Sequence, residues 1–279
     1  MNILYPLLAV AGESFGKTVD KLNFNKNKIS PSQLIFLLFS TMVAGLLVSL
    51  LFLRPPLPAI SLGIGILIAA MITISSASNY FDFKGLSMTN LSVRQPIANF
   101  QPILASFLAY LVFPAEREPK YVVAIVIGTV ILYLANSNRK FRIQFDRGVL
   151  YLTLAMVCSA VLQSIYKLGL ESVTPMYLLL FRTAGVLAFS VLFLKLNLTS
   201  LTKKQAGYGI GAGLLYLMGN LGELYSIHQL GLNLTILILL LGPALVYLLS
   251  SLVLGEKVLF KQIAASVALL MIIVLVVYL

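Results

Sequence analysis

Apolar residues run along this chain in long blocks separated by short polar connections, and the blocks recur from end to end. A helix crossing a bilayer needs about 17–25 predominantly apolar residues. The pattern predicts ten such spans, near residues 2–20, 32–53, 58–80, 88–112, 121–136, 147–168, 174–194, 205–228, 231–253 and 259–279. The span near 121–136 is the shortest, and Lys120 and Asn136 flank it where polar ends can snorkel to the interface. The opening Met-Asn-Ile, with no small-residue cleavage site after it, reads as a retained span and not as a signal peptide. The expected fold class is an all-α polytopic membrane protein with no separate soluble domain.

Composition agrees with the pattern. Hydrophobic residues fill 59% of the 279 positions and charged residues 10%, and the mean hydropathy is +0.98. A soluble domain is about half apolar and a quarter charged, so lipid is the solvent this surface requires. The net charge of +11 points to no nucleic-acid partner, because the positives sit in the connections as topology signals and no recognition signature is present. Cys158 is the single cysteine, which excludes an intramolecular disulfide; in mid-span it reads as a small apolar residue.

An internal repeat organises the spans. Asp20-Lys21-Leu22 then Ser30-Pro31 matches Tyr166-Lys167-Leu168 then Thr174-Pro175. Asn90-Leu91-Ser92 matches Asn233-Leu234-Thr235, Pro102 matches Pro243, and Glu116-Arg117 matches Glu256-Lys257. The offsets drift slowly, from 146 through 144, 143 and 141 to 140. Two homologous halves are therefore expected, 1–140 and 141–279, each of five helices. An odd number of spans per half inverts the second half in the membrane. Such inverted repeats carry a site near the midplane at the repeat interface and permit alternating access.

The five-plus-five arrangement, the Ser30-Pro31 and Thr174-Pro175 openings, and Gly255-Glu256-Lys257 after the ninth span resemble the drug/metabolite transporter superfamily, EamA-type members above all. Arg182, seven residues after Pro175, fits the same pattern; Leu38 stands at the equivalent place in the first half. The resemblance covers essentially the whole chain. It implies a central cavity lined mainly by spans 1, 3, 4, 6, 8 and 9, with substrates drawn from amino acids, sugars, nucleotide sugars and drugs. Glu13, Gly16, Thr18 and Lys21 in span 1 are similar to the first helix of the small multidrug resistance proteins. In that family the membrane glutamate exchanges protons for cationic substrate. Lys17 departs from its pattern.

Ionisable groups inside spans are expensive and are functional candidates by default. Glu13 and Lys17 lie four apart on one helical face, which fits a proton-coupling site, a self-neutralising pair or a merely interfacial position for Glu13. In span 8, Asn220 and Glu223 share a face three apart, Glu223 being the second proton or cation candidate; His228, near the span end, reads as an interfacial hydrogen-bonder. Span 4 brings Arg94, Gln95, Asn99 and Gln101 around Pro96 and Pro102, the composition of an irregular helix lining a polar cavity. Arg94 would suit a carboxylate. Gln163 and Lys167 in span 6 repeat the four-residue spacing, Arg182 in span 7 is placed to pair with a neighbouring helix, and Asn79 and Asp82 fall where span 3 ends, Asp82 at the interface.

Gly63-x-Gly65 and the run Gly207, Gly209, Gly211, Gly213 lack the lysine and preceding strand of a phosphate loop, and read as close helix packing. No cofactor and no nucleotide motor is expected. Asn197-Leu198-Thr199 fits a glycosylation triplet that recurs by chance. The charge distribution favours both termini outside, because the loop holding Arg139, Lys140, Arg142 and Arg147 is then cytoplasmic; the superfamily resemblance implies the reverse. The chain is thus expected in the cell membrane, as a proton- or exchange-coupled antiporter of a small solute, with a homodimer left open. A flippase for a lipid or lipid-linked sugar is the competing reading, using Arg94 and Arg182 for phosphate. An enzyme lacks support, as no nucleophile elbow or metal-ligand spacing occurs.

Overall fold

The computed structural model describes residues 3–23, 29–88, 97–136, 147–194, 196, 201–254 and 259–278. Among the described residues there is no strand. Among the described residues eleven α-helices follow in order: α1 (Leu4–Leu22), α2 (Pro31–Leu53), α3 (Leu62–Met88), α4 (Gln101–Val112), α5 (Pro119–Asn136), α6 (Arg147–Leu170), α7 (Pro175–Phe193), α8 (Lys203–Leu230), α9 (Leu232–Leu239), α10 (Gly242–Leu254) and α11 (Phe260–Tyr278). Among the described residues, six segments are long and apolar enough to cross a membrane: α2, α3, α6, α7, α9 with α10, and α11. The apolar helices α4 and α5 are shorter. Residues such as Phe52, Leu252 and Phe260 turn outward and are more than four-fifths exposed, an apolar outer surface suited to lipid.

Helix starts follow local chemistry. Ser30 Oγ accepts from the Gln33 N–H while Gln33 Oε1 accepts from the Ser30 N–H, and Pro31 fills the first turn, where no N–H is needed. Thr202 and Gln205 repeat this box at the start of α8. Thr174-Pro175 opens α7 without a side-chain cap bond.

Three predicted spans differ from the structure. Span 3 runs to Met88, eight residues past its predicted end, so Asn79 and Asp82 lie inside α3. Span 9 is broken between Leu239 and Gly242. Pro243 is the cause: without an N–H it cannot bond the Leu239 carbonyl, and its ring crowds that turn. The latter part of span 4 is α4, which begins at Gln101 after a turn at Asn99 and Phe100.

The two most intimate pairs are α1 with α8 and α3 with α6. In the first, Gly12 faces Gly219, Ala9 faces Gly222, and Tyr216 donates to Asp20 at 2.6 Å, so the helices run antiparallel. In the second, Gly85 meets Leu152, and Ser78 lies 2.7 Å from Ser159, again antiparallel. A Cβ on Gly12 would stand 2.4 Å from the Gly219 nitrogen, so the α1 and α8 backbones touch without side chains between them. The glycine runs expected to pack do so only in part. Gly209 and Gly213 meet Leu37 and Thr41 of α2, whereas Gly65, Gly207 and Gly211 face open space because they point away from every neighbouring helix.

Candidate functional site

A cavity of about 820 Å³ opens between the helices. Its wall takes Glu13, Lys17 and Asp20 from α1, Asn79 and Asp82 from α3, and Asn99 and Gln101 from the turn into α4. Ser78 of α3, Ser159, Gln163 and Tyr166 of α6, Arg182 of α7, and Tyr216, Asn220 and Glu223 of α8 add further polar groups. Leu239, Leu240 and Pro243 line it where the ninth span breaks. The lining reaches the ends of α1 (Asp20) and α3 (Asp82, Phe83) and the start of α2 (Ile29, Pro31), so the mouth lies at that end of the bundle. Asp82, read from the sequence as interfacial, stands on this wall because α3 continues past it.

The charges are held by specific partners. Lys17 Nζ lies 2.9 Å from Glu13 Oε2, one helical turn away on a half-exposed face. Glu223 is 6% exposed, and Gln163 Nε2 donates to its Oε1 at 3.0 Å. Arg182 is 9% exposed. Its Nη1 donates to Asn220 Oδ1 at 2.7 Å and its Nε to Ser75 Oγ at 3.0 Å, and its guanidinium stacks 5.4 Å from the Tyr166 ring centroid. Asn220 also donates to the Tyr216 carbonyl. Buried charge survives in a membrane protein when its hydrogen bonds are met in this way. Arg182 thus reaches α3, α6 and α8 from α7, the interhelical pairing its position predicted.

Most sequence candidates converge here. Glu13, Lys17, Asn79, Asn99, Gln163, Arg182, Asn220 and Glu223 all line the cavity. Asn79 donates to the Ser75 carbonyl at 2.7 Å. Lys167 is placed elsewhere: one turn beyond Gln163, its Nζ lies 3.2 Å from Glu116 Oε1 at the far end of the bundle. Arg94 and Gln95 lie outside the described residues, as do Gly255 to Lys257, Asn90 to Ser92 and Asn197 to Thr199. His228 is exposed at the end of α8. Sequence reasoning passed over Tyr166 and Tyr216, whose hydroxyl-bearing rings look like ordinary span aromatics until their neighbours are known. Among the described residues no cluster of His, Cys, Asp or Glu could hold a metal ion.

Residues 146–278 match the EamA-like transporter family. No curated protein matches the sequence. Solved structures do, 29 chains in all. One of them, titled only "Crystal structure of protein", has a TM-score of 0.75 over 98% of this chain and 95% of its own, at 16% identity. At that identity the likeness is one of fold.

Proposed function

From the premise that residues 146–278 belong to the EamA-like transporter family, a membrane transporter family of small solutes, we propose that the chain is a secondary transporter working by alternating access. Its ten crossings form two inverted halves, 1–140 and 141–279, in the cell membrane. Glu223 couples solute movement to protons, with Glu13 beside it. The carrying observation is the placement of Glu223: a buried carboxylate on a cavity wall, hydrogen-bonded by the neutral Gln163. Glu13, by contrast, already has Lys17 as its partner. A carboxylate inside the membrane that can take either a proton or solute is the element an antiporter needs.

The pairing of helices supports the two-fold arrangement. Exchanging the halves turns α1 with α8 into α6 with α3, α1 with α10 into α6 with α4, and α2 with α8 into α7 with α3; each of these pairs occurs. The helices α2 and α7 pair with each other, as do α5 and α11. The flippase reading draws no specific support, since Arg182 is engaged by Asn220 and Ser75.

Solute counterflow into proteoliposomes, run across neutral pH with a panel of metabolites, tests the proposal. Glu223→Gln is expected to retain exchange and to lose its pH dependence. An unchanged pH profile refutes the coupling role, and absence of counterflow for every solute in the unmutated protein refutes the transport reading.

A further inference from the structure

The end of the bundle opposite the cavity mouth holds a cluster of polar groups that the transport site does not use. α8 runs antiparallel to α1, so its last residues and the first of α9 stand at the end where α1 begins. There a 3-10 turn at Pro114–Glu116, following α4, brings in the Glu116 carboxylate, 6% exposed. Glu116 Oε1 accepts from the Leu232 N–H at 2.7 Å and Oε2 from the Asn233 N–H at 2.9 Å. Asn233 returns the contact, its Nδ2 donating to the Glu116 carbonyl at 2.9 Å, and Ser106 Oγ bonds Asn233 Oδ1 at 2.6 Å. Lys167 of α6 closes the cluster on Glu116 Oε1.

The first N–H groups of a helix lack partners within it and attract an anion. α9 has no side-chain cap of its own; Gly231 stands at its N-cap with φ +85°, and a Cβ there would lie 2.8 Å from Glu116 Oε1. The cap comes instead from a residue more than a hundred positions earlier. Leu232 and Asn233 are fully buried, so losing that cap strands two N–H groups away from water. α9 is short, about 12 Å at 1.5 Å per residue. Towards its other end, Ile236 and Leu239, with Leu240 just beyond, line the cavity wall. One rigid piece therefore connects the cluster to the site.

We propose that Glu116, with Lys167 and Asn233, is the latch that holds this end of the molecule shut while the cavity faces the other way. The inference rests on the alternating-access reading. Releasing the carboxylate frees α9 from α4 and α6 and lets water reach the cavity from this end. A latch of this kind sets the balance between the two facings without touching solute.

The test is thiol accessibility in the full chain. Ser226, fully buried, lies 2.8 Å from Thr235 across the α8–α9 contact on the latch side. Ser226→Cys in a Cys158→Ala background reports opening there by its rate of reaction with N-ethylmaleimide in proteoliposomes. Glu116→Ala is expected to raise that rate at least ten-fold. Lys167→Met, which keeps both amide bonds, is expected to raise it two- to five-fold and serves if the first variant does not fold. Glu118→Ala, which removes an exposed pair with Lys120, is expected to leave it unchanged. Equal rates in Glu116→Ala, or in Lys167→Met, and the parent overturn the latch, as does an equal rise in Glu118→Ala. Labelling needs no solute, so a wild-type protein that shows no counterflow refutes the transport reading while leaving the labelling result to stand or fall separately.

Discussion

Adding one methyl group at Gly12 should do more damage than any other single-carbon change in α1. The new Cβ would lie 2.4 Å from the Gly219 nitrogen, 2.6 Å from its Cα and 2.6 Å from the Leu215 carbonyl oxygen, all backbone of α8. Comfortable contact lies near 3.5 Å, so the two helices must part by about 1 Å. No flexible side chain can yield in their place. Overpacking of this kind costs about 1–3 kcal/mol. Gly207 and Gly211, on the same helix α8, provide the internal comparison, since a Cβ there meets nothing within 4 Å. At those positions alanine brings only its higher helix propensity, a gain of about 0.8–1 kcal/mol. Gly12 lies inside α1 and gains the same propensity, so Gly12→Ala and Gly207→Ala should differ by the overpacking cost, about 1–3 kcal/mol. Thermal unfolding in detergent, followed by tyrosine emission, reads the difference as a lower midpoint for the first than for the second. The displacement also moves Glu13, whose backbone N lies 2.9 Å from a Cβ on Gly219, relative to Asn220 and Glu223. Misplacement by about 1 Å can cost on the order of a hundred-fold in rate, so counterflow should fall by more than stability does. A Gly12→Ala protein as stable as Gly207→Ala would show that the helices do not meet backbone to backbone.

Arg182→Lys should lower the unfolding midpoint, because one ammonium cannot serve Asn220 and Ser75 together while stacking on Tyr166; the loss of one charged hydrogen bond costs about 1.5–3 kcal/mol. An unchanged midpoint would mean that the fork is not needed. Asn233→Ala removes the bond to the Glu116 carbonyl and leaves Ser106 without its acceptor, a cost of about 1–3 kcal/mol on the same assay, and no change there would sink the assignment. With both termini outside, Lys140→Cys in the Cys158→Ala background should escape an impermeant thiol reagent in intact cells. Its labelling would reverse the orientation.

Much of this was legible in the sequence, for reasons that are local. Hydrophobic blocks of fixed length announce spans, and Ser30-Pro31-Ser32-Gln33 announces a helix start, because both signals sit within a few residues of what they specify. Asn220 and Glu223 could be placed on one face by spacing alone. Their partners could not be read: Gln163 is 60 positions from Glu223 and Arg182 is 38 from Asn220, and only the packing of α6, α7 and α8 brings them within reach. The break in span 9 was half visible. Pro243 marked it, but the disrupted turn lies ahead of a proline, where its missing N–H and its ring act on the residue four earlier. Glu116 was seen only as a repeat match at the end of a span. Its role as a cap depends on a helix start more than a hundred positions later, which no nearby residue encodes. The glycine runs misled because spacing shows which residues share a face, not whether a neighbour stands opposite it.

The α1–α8 contact also bears on how the protein is made. α1 carries Glu13, Lys17 and Asp20 and is not among the segments that length and composition mark as able to cross a membrane. The helix that accepts its glycine face, and the Tyr216 hydroxyl that meets Asp20, belong to α8. Between Leu22 and Lys203 the ribosome works for roughly 10–40 s at about 5–20 residues/s. Through that interval the first segment of the chain has no α8 to lie against. Until α8 is made, α1 and its charged side chains lack the helix they pack against in the folded protein, and a chain truncated before Lys203 should be recognised by quality control through α1.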